Sequence, residues 1–382
     1  MKRWHSLFLL PFLCLPLLFS CANNDDEKPW GSYPPLSPIK NTILMIGDGM
    51  GKNHEEAGRI QKESPLAWDD KEAFPYFGEV ETASLTSKEH PSIPTDSAAA
   101  ATAMATGEKV YNSSIGKSST GEDLPNIMEI AHTYGKSTGI VTSDVLSGAT
   151  PASFSAHAKK RTDTEEIIAS QQNDFINLYL GSDKNKDYVE QKEAFQTNGF
   201  YFLNSTKKLT KNIYSEEKIL GAFPDVAAKE EHVPSSVRLK TLVTFALDYL
   251  SQNENGFCLM IEGARIDKRA HESKLSSMIY ELLDFDQCVT YVAEWARRRG
   301  DTNVFVTADH ETGGLTLKEG VSKDQLLSSS SYEWTAPGNH TTRNVSYYAL
   351  GKESNLYQNC IDNTSIFYAM KEVVTDTTSN EK

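Results

Sequence analysis

An α/β fold is predicted, with one large, mostly parallel central β-sheet flanked by helices on both faces. Short apolar, β-branched runs alternate along the chain with longer helix-like stretches. Several of these runs are apolar throughout instead of alternating, as strands buried on both faces require. No internal repeat or second compositional regime follows residue 40, so a single domain is expected over 41–376. At about 335 residues it is large, yet within the reach of a doubly wound sheet.

The elements follow in order. The chain opens MKRWHSLFLLPFLCLPLLFSC. A basic tip, Lys2 and Arg3, precedes an apolar stretch that is short for a bilayer span and is broken by Pro11 and Pro16, the pattern of a secretory signal. It closes in L-F-S-C, which resembles a bacterial lipobox. Residues 1–20 are therefore expected to be removed and Cys21 to carry a lipid; the alternative is a plain signal peptide with an incidental cysteine. Residues 21–40 are acidic and proline-rich and read as a flexible tether. The expected location is that of an exported bacterial lipoprotein, in the periplasm or at the outer membrane. The NNDDEK after Cys21 resembles surface-export signals, which leaves the face open.

Candidate strands are TILMI (42–46), STGIVTS (137–143), FINLYL (175–180), FCLMI (257–261), NVFVT (303–307) and VSYYAL (345–350). Helix-like stretches occupy 97–106, 125–134, 236–252 and 275–299, and the polar stretch 182–218 reads as a surface insertion. Beyond Cys21 the exported chain has only Cys258, Cys288 and Cys360, an odd number that implies no complete disulfide framework. Cys258 reads as a buried small hydrophobe, and pairing of Cys288 with Cys360 stays open. The formal charge is −14, about −16 without Lys2 and Arg3. That excludes the basic stripe of a nucleic-acid binder, and an anionic ligand would need positive charge supplied locally, by metal ions or placed basic side chains.

Ligands of doubly wound sheets bind beyond the carboxyl ends of the strands. TILMI is followed by GDGMG, FCLMI by Glu262 and GARIDKRAH, NVFVT by ADHETGG, and STGIVTS shortly by GATPASFSAHAKKR. Carboxylates, histidines and an arginine thus gather on one rim. Asp267 and His271 are four apart, so a helical turn would put them on one face. Asp309 and His310 are adjacent and can aim at one place only where their strand has ended. Aspartate and histidine are zinc ligands, whereas threonine and carboxylate oxygens suit magnesium. Of nine histidines, His54, His90, His132, His157 and His232 have no evident carboxylate partner and are taken as ordinary core or surface residues. TDSAAAATAMATG (95–107) places Ser97 at the start of an alanine helix. By itself that is an N-cap on a buried helix; beside the rim residues, the bare helix end reads as room for a bulky, charged ligand.

The ordered segments MIGDGMG, TDSAAAATAMATG with EKVYNSSIG, GATPASFSAHAKKR, EGARIDKRAH, VTADHETGG and NHTT resemble the alkaline phosphatase family from about residue 41 to residue 371. The resemblance implies hydrolysis of phosphate monoesters through a phosphoserine at a two-zinc plus magnesium site. Asp267, His271 and His340 would hold one zinc. Asp48, Asp309 and His310 would hold the second, with Ser97 as nucleophile and exchangeable ligand. Asp48 would bridge to a magnesium held by Thr150 and Glu262. Arg161 would grip the non-bridging phosphate oxygens, and Lys268 matches a lysine used near the phosphate. Relatives carry aspartate or histidine where this chain has Gly148. The expectation is that Lys268 lacks its usual carboxylate partner and that product phosphate is held more weakly than in the aspartate-bearing type. The resemblance also implies a homodimer, though the residues mark no interface. The rivals are a phosphodiesterase of the same superfamily and a non-catalytic phosphate- or metal-binding lipoprotein; the four alanines after Ser97 exclude the sulfatase motif.

Overall fold

The computed structural model describes residues 38–228, 237–351 and 361–376. The expected signal, the Cys21 expected to carry a lipid and nearly all of the tether lie outside them, as do His232 and Cys360. Among the described residues no helix is long and apolar enough to cross a membrane.

The strands, in chain order, are β1 (Asn41–Gly47), β2 (Tyr76–Glu81), β3 (Ser137–Val145), β4 (Leu178–Ser182), β5 (Phe200–Leu203), β6 (Lys218–Phe223), β7 (Phe257–Gly263) and β8 (Thr302–Thr307). They continue with β9 (Glu311–Thr312), β10 (Leu315–Leu317), β11 (Tyr332–Trp334), β12 (His340–Thr341), β13 (Val345–Leu350) and β14 (Ile361–Asp362). Ten of them form one sheet in the order β14-β2-β13-β8-β1-β7-β3-β4-β6-β5. All pairings are parallel except those of β13, which runs antiparallel to both β2 and β8. The sheet is thus mixed but mostly parallel. Every residue of β1, β7 and β8 is buried, which is why these strands were continuous apolar runs in the sequence.

The helices are α1 (Lys52–Lys62), α2 (Leu85–Glu89), α3 (Ser97–Thr106), α4 (Ile127–Thr133), α5 (Ala149–Ser153), α6 (Thr164–Ser170), α7 (Asp187–Glu190) and α8 (Lys192–Thr197). They end with α9 (Leu239–Leu250), α10 (Arg265–His271), α11 (Leu275–Arg299), α12 (Lys323–Leu326) and α13 (Thr364–Thr375). Helices α9 and α11 pack on each other and on the central strands, while α3, α4 and α13 form a second packed group that also meets the sheet. Helix α11 stops where Gly300 takes φ +69°, after three arginines whose charge suits the carbonyl end of the helix. Cys258 and Cys288 are buried free thiols, the first in β7 and the second in α11.

Two expectations are corrected. The stretch 182–218 is more than an insertion: it carries α7 and α8 and supplies β5, the edge strand beside β6. Strand β2 was invisible because only Val80 of its six residues is buried, so no apolar run marks it. The bareness of α3 also has another source. Ser97 through Ala105 are all buried, and the helix packs against α5 and α13, so small side chains are demanded along its whole length by close packing. Only its first turn faces the rim.

Candidate active site

The register of the sheet assembles the site. Ile46 of β1 pairs with Glu262 of β7 and with Thr307 of β8, and Glu262 pairs on its other side with Thr142 of β3. Asp48 and Asp309 therefore leave adjacent strands at one level, two residues beyond the level of Glu262. After β7 the chain turns at once into α10, which carries Asp267 and His271 on one turn. His340 arrives through the short antiparallel pair β9–β12, in which it faces Thr312 and so comes to lie beside His310, ring on ring at 3.6 Å between centroids. Gly49 makes this convergence possible. It sits at φ +70°, and a Cβ there would lie 2.7 Å from Thr312 Oγ1 and 2.9 Å from Asp267 Cα and Cβ.

Three histidines are oriented alike. His340 Nδ1 is 2.9 Å from the Thr95 carbonyl and His271 Nδ1 is 2.9 Å from the Gly338 carbonyl. A carbonyl only accepts, so each ring donates from Nδ1 and turns a bare Nε2 inward. His310 Nδ1 is 3.1 Å from Thr312 Oγ1, whose own proton goes to Asp267 Oδ1 at 2.6 Å; His310 too donates from Nδ1. Around its Nε2 lie Ser97 Oγ at 3.1 Å, Asp309 Oδ2 at 3.2 Å and Asp48 Oδ1 at 3.6 Å. Nε2 of His271 is 3.1 Å from Nε2 of His340 and 3.2 Å from Asp267 Oδ1, which is 3.8 Å from His340 Nε2.

This donor set fits cations. The ligating atoms of Asp267, His271 and His340 lie within 4.8 Å of one another, as do those of Asp48, Asp267 and His310. Asp48 Oδ1 and Asp309 Oδ2 are buried and receive no hydrogen bond. Histidine rings whose second nitrogen is held by a carbonyl or hydroxyl are the usual outer support of metal ligands. Asp267 takes part in both groups, a sharing that spacing alone had not indicated.

The electrostatics agree. Burial, then the charges of Asp309, Asp267 and Glu262, pushes the Asp48 carboxyl well above the usual range. Burial and then Asp144 push Glu262 up to about 8, opposed by the hydrogen bond from Thr142. Burial disfavours charge on Asp267 and Asp309 as well, but His271 and His310 respectively outweigh it and hold both carboxyls low. The hydrogen bond to Asp267 holds His271 above its usual value. Burial works against charging His310, yet Asp309 raises it, while burial and His310 push His340 down to about 4. Crowded carboxylates with competing protonation states are what bound cations relieve.

Of the other sequence-named residues, Ser97 is 3 % exposed and opens α3, with Asp96 as its N-cap. Thr150 is buried on α5, and its hydroxyl oxygen has no hydrogen-bond partner. Arg161 is held by Asp96: its Nη1 donates to Asp96 Oδ2 at 3.2 Å, while the same carboxylate accepts from the amides of Ala99 and Ser113. Asp96→Ala should therefore remove about 1–2 kcal/mol of capping and raise KM for a phosphate ester, whereas Asp96→Asn should keep most of the stability; urea melts and initial rates measure the two effects.

Lys268 has no carboxylate from position 148, as expected, and instead forms an ion pair with Asp144 at the end of β3. His157 also has a carboxylate, Glu129 at 3.3 Å, and buried His54 lies 3.8 Å from Glu311. Neither histidine belongs to the two groups of candidate ligands. Sequence reasoning missed Thr312, Thr142 and Asp144. Asp144 had a usable signal, a carboxylate directly after a candidate strand on the ligand rim. The two threonines had none beyond their places beside named residues.

Fold and site together define an α/β protein that gathers cation ligands around a serine at the carboxyl rim of its sheet. The model of the alkaline phosphatase family matches residues 39–179 and 169–337. Alkaline phosphatase 4 of Bacillus subtilis (strain 168) is 35% identical over 76% of this chain and 65% of that protein. The alkaline phosphatase of Escherichia coli (strain K12) is 29% identical over 87% and 86%. The solved alkaline phosphatase from the Antarctic bacterium TAB5 shares 29% identity at a TM-score of 0.77, covering 88% of this chain and 99% of that one. This chain belongs to the alkaline phosphatase family. It spans 65% and 62% of the lengths of the two Bacillus subtilis relatives it matches.

Proposed function

We propose that the protein is an alkaline phosphatase that hydrolyses phosphate monoesters through a phosphoserine on Ser97. The observation that carries this reading is the convergence of Ser97 Oγ, the inward Nε2 atoms of three histidines and two undonated carboxylate oxygens on one rim, in a chain of this family.

Asp267, His271 and His340 would hold one zinc, and Asp48, Asp309 and His310 a second, with Asp267 near both. Thr150 and Glu262, with Asp48, would hold magnesium; a variant of the TAB5 enzyme has been solved with Mg bound in its M3 site. Such cations supply positive charge that favours the serine alkoxide and stabilises the oxygens on either side of a phosphoryl group in transfer. The chain's own residues do the rest. The N-terminus of α3 aims Ser97 at the phosphorus and offers backbone N–H groups to an anion. Arg161, fixed by Asp96, meets two equatorial oxygens with its planar fork. Ser97 Oγ bonds to phosphorus as the ester oxygen leaves with a proton as the alcohol, and water then returns the serine and releases phosphate.

We extend the reading to an exported lipoprotein anchored through Cys21, in the periplasm or on the outer membrane, and to a homodimer. The leader and its L-F-S-C support the first. The second rests only on the resemblance. Side-by-side hydrolysis of p-nitrophenyl phosphate and its bis ester tests the activity. The monoester is expected to be cleaved at least about 100-fold faster, a difference of about 2.7 kcal/mol in barrier; faster cleavage of the diester would favour the phosphodiesterase reading, and no turnover of either the binding-protein reading.

A further inference from the structure

The β9–β12 pair is two residues long on each side, yet it delivers His340 to the site: His340 faces Thr312, and Thr341 faces Glu311. Successive side chains of a strand point to opposite faces. His340 and Thr312 therefore share the face toward the ligand cluster, and Glu311 and Thr341 share the back. Two residues give little ladder to hold a register, and a slip by one would turn His340 away from His310 and Asp267. The fastening is on the back face. Thr341 Oγ1 accepts from the Arg343 amide at 3.3 Å and donates to Glu311 Oε2, while Glu311 Oε1 accepts from the Leu315 amide at 3.1 Å. Arg343 closes the same clasp: its Nη1 donates to the Leu315 carbonyl at 2.9 Å and stands 4.0 Å from Glu311 Oε1. Gly51 makes room for it. Its φ of −87° suits any residue, but a Cβ there would lie 2.1 Å from Glu311 Cγ.

We propose that Glu311 is a positioning residue whose carboxylate, through Thr341, fixes the register of β9 against β12 and so holds His340 Nε2 beside Asp267 and His271 for zinc. The inference rests on the zinc reading of those three residues given above. Glu311 acts from the back face on cation affinity, because a ligand ring that must be brought into place on binding costs affinity that a prefixed ring does not. A cavity of about 360 Å³, lined also by Lys52, Glu79 and Arg343, borders Glu311. Water entering there would satisfy groups that a substitution leaves unpaired, so the fold should survive the change.

The test is zinc binding, measured by competition with a chromophoric chelator, in Glu311→Ala, Thr341→Val, Thr341→Ser and the double variant of the first two. Melting of the metal-free proteins checks that each is folded. Glu311→Ala and Thr341→Val are each expected to weaken one of the two zinc ions by about 10- to 100-fold. The double variant should lose no more than about threefold beyond the worse single, and Thr341→Ser, which keeps the hydroxyl, should bind within about threefold of wild type. In a His340→Ala background, Glu311→Ala is expected to change the remaining zinc affinity less than about threefold. Wild-type affinity in Glu311→Ala or in Thr341→Val overturns the inference, as do losses that multiply in the double variant or persist without His340. Undiminished zinc binding in His340→Ala overturns the zinc reading itself, and this inference with it.

Discussion

Ser97→Ala is expected to lower turnover of p-nitrophenyl phosphate by at least about 10³-fold, the scale of nucleophile deletions that leave the rest of a site in place. The substitution is clean in this setting. Asp96, not Ser97, caps α3, and the neighbours along the helix are already alanines, so the melting temperature should stay within a few degrees. Ser97 Oγ hydrogen-bonds with His310 Nε2 at 3.1 Å, so the loss would be chemical and not architectural. Stopped assays with acid-quenched protein should trap phosphate on the wild-type chain and none on the variant. Turnover at the wild-type rate in Ser97→Ala would remove the serine from the mechanism.

Stripping divalent cations is expected to abolish hydrolysis and to change how stability depends on pH. In the metal-free protein Glu262 is raised to about 8, Asp48 is raised well above the carboxylate range, and His271 and His310 are raised above their usual value. Each raised group gives the folded state a proton that the unfolded chain has released, so stability is lost as pH rises. From about pH 6.5 upward Glu262 and the two raised histidines act in one direction, and Asp48 acts the same way above the ordinary carboxylate range. His340, lowered to about 4, opposes them only below that window, and the lowered Asp267 and Asp309 act only in acid. The stripped protein should melt lower at pH 8 than at pH 6.5. Metal binding displaces those protons, so the loaded protein should lose that slope. A cation at about 100 times its Kd adds about 2.7 kcal/mol, or roughly 4 °C for a domain of this size. Melting curves with chelator, and after zinc and magnesium are restored, check both statements. A stripped protein as active and as stable as the loaded one would refute the cation site.

The fold was legible where burial is two-sided. Strands β1, β7 and β8 are buried along their whole length around apolar centres, and their boundaries follow from composition within a residue or two. The edge was not. Strand β2 keeps only one residue buried, and β13 takes its antiparallel place between β2 and β8 through pairing that no local pattern specifies. At the site, residues at strand exits could be named because parallel strands must deliver their carboxyl ends to one rim. Asp267 and His271 could be paired because a helical turn repeats every four residues.

By itself the sequence determined the chemistry available to this protein: which carboxylates, imidazoles and hydroxyl stand at strand ends, and that the surrounding charge is too negative to hold an anion unaided. The tertiary structure decided how those groups meet. His340 joins His310 only through the β9–β12 pairing, Asp267 serves two ligand groups only because Gly49 lets the chains touch, and Lys268 finds Asp144 only through a register shift in β3. The physical reason is range. Periodicity reports which side of an element is buried, whereas a contact between residues more than a hundred positions apart depends on packing that exists only once the sheet has closed around its core.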